Sequence, residues 1–358
     1  MLIKKAGLVE DELALPLGQQ QARTRWGTHA SGAAFDHKKK PYLTYKAQEF
    51  IAQQSLCVIA GLDTENLPGG LLVLDTPGFV QTPDAQTCLL RLSRNDEASS
   101  LLRRLYHSPL GTDPELGLFF ICHPTRERLC VQGAAELLCP TSFAYFPDAQ
   151  TSIWVLLRVR QAFFHCVKYI KTRVAGLTSP AEQTPRGMWQ RDRLLNGPQS
   201  FLTEATRAFL TDQVLCYLCT VDQHGRCAVN HRGGAAGFLV TLPPYNAAPG
   251  GLLILPDYAG NGAFEAIGNI LETGKAAIVV PDFLSHVALC VSGAARVYEL
   301  HELPREIAQR CKGAQRVIAL SVQRVNGQSG DWSKALSFER WRAEEIMHVS
   351  TGACSTGL

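Results

Sequence analysis

The sequence predicts a mainly β protein built twice: two short antiparallel β-barrels with helices, in tandem along 358 residues. The first observation behind this is an echo. "LCVQGAAEL" at residues 129–137 returns as "LCVSGAARV" at 289–297. The second is the register of further echoes. "FIAQQSLCVIAGLD" (50–63) faces "FLTDQVLCYLCTVD" (209–222) at an offset of 159, and "PGFV" (77–80) faces "AGFL" (236–239) at the same offset. Cys130 faces Cys290 at 160, and "VLLRVRQ" near Val155 resembles "IALSVQR" near Ile318. Chance similarity would drift out of register, and a period this long is that of a whole domain rather than a solenoid repeat.

The elements follow in order. Residues 1–45 form an extension whose "DHKKK" run, Asp36 to Lys40, reads as a solvated loop or, alternatively, as a phosphate-binding patch. Residues 46–175 make the first barrel, and 176–200, rich in Pro, Gly and Thr, read as a linker over the surface. Residues 201–328 make the second barrel. There "LCYLCTV" ends at the tight-turn signal "DQHG", with "CAVNHRGG" and "GLLILPD" as further strands. "NGAFEAIGNILETG" reads as a helix: Phe264, Ile267, Ile270 and Leu271 share one face, and Gly274 is placed to end it. "KAAIVVPD" and "ALCVSGAARVYEL" return to strand, and a short barrel with one crossing helix satisfies this order. In residues 329–358, "WSKALSFERWRAEEIMH" predicts an amphipathic helix carrying Trp332, Leu336 and Trp341, followed by a tail that reads as disordered.

Composition narrows the function classes. With 46% hydrophobic residues the chain can bury large cores, and 19% charged residues with a net charge of +3 give no field that points to nucleic acid or an anionic membrane. No apolar run reaches the roughly 18 residues that span a bilayer, and "MLIKKAGLVEDELALPL" is a poor signal peptide. Most of the 12 cysteines, such as Cys57, Cys130, Cys216 and Cys290, sit in apolar runs where a thiol behaves as a small hydrophobe. Cys216 and Cys219 form a CxxC in a strand, where residues three apart point to opposite faces, so no metal site is expected. No N-x-S/T sequon occurs, and a reducing, cytoplasmic setting is expected.

The order D-x-H/D-G-x, strand, "PDYAGNGAFEAIGN", "AAIVVPD", "VSGAARV" resembles the FMN-binding split barrel of the pyridoxamine 5'-phosphate oxidase-like superfamily. "FFHCVKYIKTR" (163–173) resembles the N-C-P-K-Y-I segment of two-domain members, and the likeness covers residues 46–323 in both copies. It implies a tandem pair of split β-barrels forming an intrachain pseudo-dimer, with FMN as cofactor and oxidoreductase chemistry on a small molecule. Single-barrel members pair as homodimers with two flavins between subunits. Here a monomer carries both halves, and a further homodimer stays open.

The copies disagree where a cofactor would lie. "NHRGG" (230–234) faces apolar "LLVLD" (71–75), and "DYAGNGAFEAIGN" (257–269) faces "LSRNDEASSLLRR" (92–104), without the glycines. One composite site at the seam, with a mainly structural partner groove, is the economical expectation. Gly260, Asn261 and Gly262 stand where a helix begins and offer backbone N–H groups to a phosphate. Arg232 offers a planar fork, and Lys168 adds charge from the other half. Asn230 and Asn269 suit the ribityl chain or ring edge, Tyr169 or Tyr258 a flavin face, and His231 and Asp257 lie in the same strands. Competing readings remain: "NHRGG" as a bulged strand, Asn261 as an N-cap, and His165 or His231 as structural hydrogen-bonders.

Pyridoxamine phosphate oxidases proper carry S-R-K where this chain has Gly260-Asn261-Gly262, and their C-terminal R-L-H-D-R segment is absent. Oxidation of pyridoxamine phosphate is therefore not expected. No Rossmann fingerprint is present, so NAD(P)H would bind transiently or electrons would come through a protein partner. The alternatives are a non-catalytic flavin- or haem-binding module, with His165, His231 or His286 as axial imidazole, and a scaffold without cofactor.

Overall fold

The computed structural model describes residues 15–93, 100–107, 114–138, 152–165, 170–178 and 191–352. The tail after residue 352 lies outside them, as does the start of the chain.

Each half opens on a capped helix. Thr44 accepts the Ala47 N–H at the start of α3 (Tyr45–Ala52), and Thr203 accepts the Thr206 N–H at the start of α6 (Glu204–Asp212). Hydroxyl caps satisfy N–H groups that the first helical turn leaves open. Seven strands follow in the first half: β1 (Leu56–Leu62), β2 (Pro68–Leu74), β3 (Val80–Asp84), β4 (Thr87–Ser93), β5 (Glu115–Cys122), β6 (Glu127–Leu138) and β7 (Ser152–Phe164). The second half has β8 (Leu215–Val221), β9 (Cys227–Gly233), β10 (Val240–Leu242), β11 (Leu252–Asp257), β12 (Lys275–Asp282), β13 (Val287–Glu299) and β14 (Arg316–Ser329). The sheet orders are β2-β1-β5-β6-β7-β4-β3 and β10-β11-β14-β13-β12-β8-β9. Exchange each strand for its counterpart and the two orders are identical. Between the fourth and fifth strands of each half lies a helix, α4 (Ser100–His107) or α7 (Glu265–Thr273).

The repeated glycine has a geometric cause. The β6–β7 register shifts between Gln132 and Gly133, and the β13–β14 register between Ser292 and Gly293. A Cβ at Gly133 would sit 1.8 Å from the Arg158 carbonyl oxygen, and one at Gly293 would sit 2.0 Å from that of Ser321. At these bulges two backbones come closer than any side chain permits.

Each sheet encloses its own core. Cys57, Leu90, Leu118, Val131 and Val155 are buried in the first; Cys216, Leu253, Ile278, Val291 and Ile318 in the second. A third core belongs to neither half: Val58, Leu72, Phe119 and Cys130 pack with Tyr217, Cys219, Val229 and Val279. Cys216 and Cys219 thus lie in different cores, as strand alternation requires. The nine described cysteines are free. The halves meet through matching elements, β1 on β8, β5 and β6 on β9, β12 and β13 on β2. Even single contacts repeat: Cys130 Sγ donates to the Val229 carbonyl, and Cys290 Sγ is hydrogen-bonded by the backbone of Gly70.

The extension is part of this assembly. Helix α1 (Leu17–Trp26) lies across α7, with Gly18 and Gly268 at the crossing. A Cβ on Gly18 would fall 2.1 Å from the Gly268 carbonyl oxygen. Helix α2 (His29–Asp36) follows it. In the "DHKKK" run His37, Lys38 and Lys40 are exposed, as a solvated loop requires, and Lys39 departs from it. Lys39 is only 14% exposed and pairs with Glu265 at 2.7 Å, and Lys40 exchanges backbone hydrogen bonds with Ala162. The short α5 (Arg191–Leu194) and α8 (Arg305–Arg310) flank the second barrel, and α9 (Ser333–Gly352) closes the chain. Trp332 and Leu336 are buried beside the shared core, whereas Trp341 of the same helix is 55% exposed. No helix among the described residues is long and apolar enough to cross a membrane.

Gly293→Ala and Gly133→Ala are each expected to cost at least about 2 kcal/mol, because backbone must move to admit the methyl group. Urea unfolding checks this, with Gly69→Ala as control: the added Cβ meets only Leu101, at 3.9 Å.

Candidate functional site

One cleft of about 140 Å³ opens at the N-terminal end of α7, walled by both halves. From the second half come Asn230, His231, Arg232, Asp257, Tyr258, Gly260, Asn261 and Gly262; from the first come Arg128 and His165. Eight of the eleven residues singled out in the sequence therefore share this cleft. Asn269 does not: it is buried on α7, its amide donates to Thr220 Oγ1 at 3.1 Å, and it lines a second cleft. Lys168 and Tyr169 lie outside the described residues.

The turn before α7 is held locally. Asn261 Oδ1 accepts the Ala263 N–H at 3.1 Å, so its side chain acts as a turn former. The Gly262 carbonyl accepts the Thr28 hydroxyl at 3.2 Å, and a Cβ at Gly262 would lie 2.4 Å from Ser31 Oγ. Phe264 then enters the left-handed region, φ 57°, where few non-glycine residues are found. Its ring packs 5.2 Å from Trp26. The Arg316 guanidinium lies over both rings, at 4.7 Å from Trp26 and 4.6 Å from Phe264.

The expected free fork of Arg232 is instead partly engaged. Its Nη1 pairs with Asp257 Oδ1, while Arg316 Nε donates to Asp257 Oδ2 at 2.5 Å. Asp257 is therefore a bridge between two guanidiniums rather than a group presented to a ligand. Its 4% exposure makes the pairing obligatory, since an unpaired charge there would be costly. Arg232 Nε has no hydrogen-bond partner among the described residues. The carboxylate of Glu265 is neutralised by Lys39. The cleft is thus lined by three guanidiniums, Arg128, Arg232 and Arg316, of which the last two share the carboxylate of Asp257.

The histidines report the same field. Burial, then the charges of Arg128, Lys39 and Arg232, hold His165 at about 3. Burial, then His123, Arg128 and Arg232, hold His231 well below 6.5. His123 is held at about 4 by burial, although its Nδ1–H donates to the Lys171 carbonyl at 3.0 Å. The His231 ring lies 5.8 Å from His123 and 6.0 Å from Tyr217. Cys130 Sγ stands 2.9 Å from His165 Nε2, and burial raises its thiol well above the ordinary range. The pair is a neutral thiol beside a neutral imidazole, not an activated nucleophile. His286 lies elsewhere, accepting the Trp332 N–H and stacked on that indole.

Sequence reasoning missed Arg128 and Arg316, and the repeat held the signal for both. The sheet registers set Arg128 opposite Ala288 and Arg316 opposite Ile153, so each cation stands on one copy only. At the equivalent place on the other side of the seam the two halves are in direct contact. Gln328, the counterpart of His165, accepts the Leu72 N–H at 3.1 Å and donates to the Leu72 carbonyl at 2.5 Å. A Cβ at Gly70 would lie 2.3 Å from Val279.

Because His123 and His231 are both held below the unfolded value of about 6.5, their stabilising effect is complete above that pH and is lost as pH falls, down to about 4 for His123. Stability is expected to decline below pH 6.5 by up to about 1.4 kcal/mol per pH unit for each histidine. Urea midpoints between pH 8 and pH 5 check this, and a flat profile would mean that the folded protein accepts these protons.

Comparison with known proteins gives structural likeness only. No family model and no curated protein matches the chain. Among solved structures, HupZ of Group A Streptococcus is 16% identical, with 36% of this chain and 96% of that chain covered, at a TM-score of 0.28. A candidate pyridoxamine 5'-phosphate oxidase from Lactobacillus delbrueckii is 25% identical over 35% of this chain and 93% of its own, also at 0.28. A Clostridium acetobutylicum protein related to general stress protein 26, of the pyridoxinephosphate oxidase family, is 11% identical over 36% and 88%, at 0.24. Each spans about one half of the duplication. The two sheets of identical strand order make the chain a tandem duplication of one β-fold.

Proposed function

We propose that the chain is an FMN-dependent oxidoreductase acting on a small molecule, with one composite flavin site in the cleft between the barrels. The observation that carries this reading is the set of guanidiniums lining the cleft at the start of α7, Arg128, Arg232 and Arg316, the last two bridged by Asp257. A phosphate dianion fits that set, because it meets guanidinium forks and the unpaired N–H groups of the first helical turn together. The S-R-K cations absent from the turn have functional replacements on β6, β9 and β14.

Arg232, tethered by Asp257, holds its fork in place on the cleft wall. Arg316 is fixed between two aromatic rings and supplies charge without needing contact. Asn230 and Tyr258 offer polar and aromatic contacts along the same wall. The neutral His165 presents no competing charge. Bound FMN would supply hydride and electron transfer; the protein supplies orientation and field. Electrons would enter from transient NAD(P)H or a protein reductant, and the intrachain pair lets a monomer carry the whole site. Nine free thiols suit a reducing cytoplasm. The haem alternative loses two of its three candidate ligands, because the His165 Nε2 is turned to Cys130 and His286 is engaged with Trp332, and rests on His231 alone.

Titration of the purified protein with FMN is expected to give a saturable complex with the visible absorption of a flavin. Arg232→Ala is expected to weaken it by about 1.5–3 kcal/mol, the scale of a charge-assisted hydrogen bond. Arg128→Ala, on the other half, is expected to weaken it as well. A colourless protein indifferent to FMN would end the flavin reading. Unchanged affinity in Arg128→Ala would confine the site to the second barrel.

A further inference from the structure

A second cleft of about 320 Å³ lies between the barrels on the other side of Glu265, roofed by the N-terminal extension. Most of its charges are paired, Lys40 at its rim excepted. Lys39 pairs with Glu265, Arg226 with Asp222 at 2.6 Å, and Arg160 with Glu115 at 3.1 Å. What distinguishes its wall is carboxamides. Gln19 from α1, Gln132 from β6, Gln161 from β7 and Asn269 from α7 all line it. Three of them, Gln19, Gln132 and Asn269, are 4–5% exposed, although such side chains are seldom buried. Gln161 Nε2 donates to Gln132 Oε1 at 3.2 Å, and Asn269 is anchored on Thr220. Gln19 Oε1 is buried and has no hydrogen-bond partner among the described residues. A buried acceptor in that condition is costly, and three chain segments bring these amides together where apolar residues would have packed more cheaply.

We infer that this second cleft is a binding site for a small uncharged ring bearing a carboxamide or lactam edge, such as a nicotinamide or a pyrimidine. A carboxamide side chain presents an acceptor and a donor on one edge, and such a ligand edge presents the complement. Lys39, Arg160 and Arg226 are each held by a carboxylate, whereas the first cleft is lined by three guanidiniums, which separates the two. The assignment is independent of what the first cleft holds.

The test uses the full chain, with nicotinamide and uracil as probes in ligand-observed NMR. At least one is expected to bind saturably, in the millimolar range of so small a molecule. Which of the two binds more tightly identifies the source of the edge. Gln161→Leu and Gln132→Leu are expected to weaken that probe at least about tenfold. Arg232→Ala, in the other cleft, is expected to leave it unchanged. Should Gln132→Leu fail to fold, the partly exposed Gln161 still provides the readout. The inference is overturned if neither probe binds, if Gln161→Leu binds the probe as the parent does, if nicotinate binds as tightly as nicotinamide, or if FMN displaces the probe. The last result would give these amides to the flavin ring. Probe binding without any FMN binding would leave this inference standing while ending the flavin proposal.

Discussion

The apolar seam between the two barrels is the constraint on which the rest of this structure depends. Phe119, Cys130 and Val58 of one half bury themselves against Tyr217, Val229 and Val279 of the other, so neither sheet completes its outer face alone. The contact repeats about an approximate two-fold axis, down to the thiol of Cys130 on Val229 and that of Cys290 on Gly70. Such a seam fixes two equivalent grooves. Their different fates follow from a few side chains: Gln328 and Val279 close one onto β2, while His165, Arg128 and the polar face of β9 leave the other open.

Holding several guanidiniums in a partly enclosed cleft is electrostatically unfavourable, and the protein uses two devices against it. Asp257 bridges Arg232 and Arg316, and the rings of Trp26 and Phe264 flank Arg316. The nearby histidines respond by staying neutral, because adding a proton would place one more positive charge beside Arg128 in a poorly solvated site. Phe264 reaches its place only by adopting a left-handed backbone, a local cost that the ring stack and the helix behind it hold in place.

The N-terminal extension supports the turn that walls the first cleft. Arg23, 3% exposed, pairs with Asp36 at 2.7 Å and donates to the Ala263 carbonyl, tying α1 and α2 to the turn before α7. Burial alone would raise Asp36, but the hydrogen bond and charge of Arg23, with the charge of Lys39, outweigh it and leave the carboxyl below 3.8. These contacts roof the second cleft and press on the first.

Much of this was legible before any coordinates. The repeated "VxGAA" segment marked the duplication, and the apolar replacement of "NHRGG" by "LLVLD" marked which copy would carry the polar strand. Those signals are local: they depend on a residue's own strand and on its counterpart in the other copy, and both lie in the sequence. The roles of Arg128 and Arg316, the bridging of Asp257, the burial of Lys39 and the transfer of Asn269 to a second cleft were decided only by the tertiary structure. Each depends on which distant segment lies opposite in space. A side chain's partners across a seam are set by how whole sheets and helices dock, and no spacing along the chain records that.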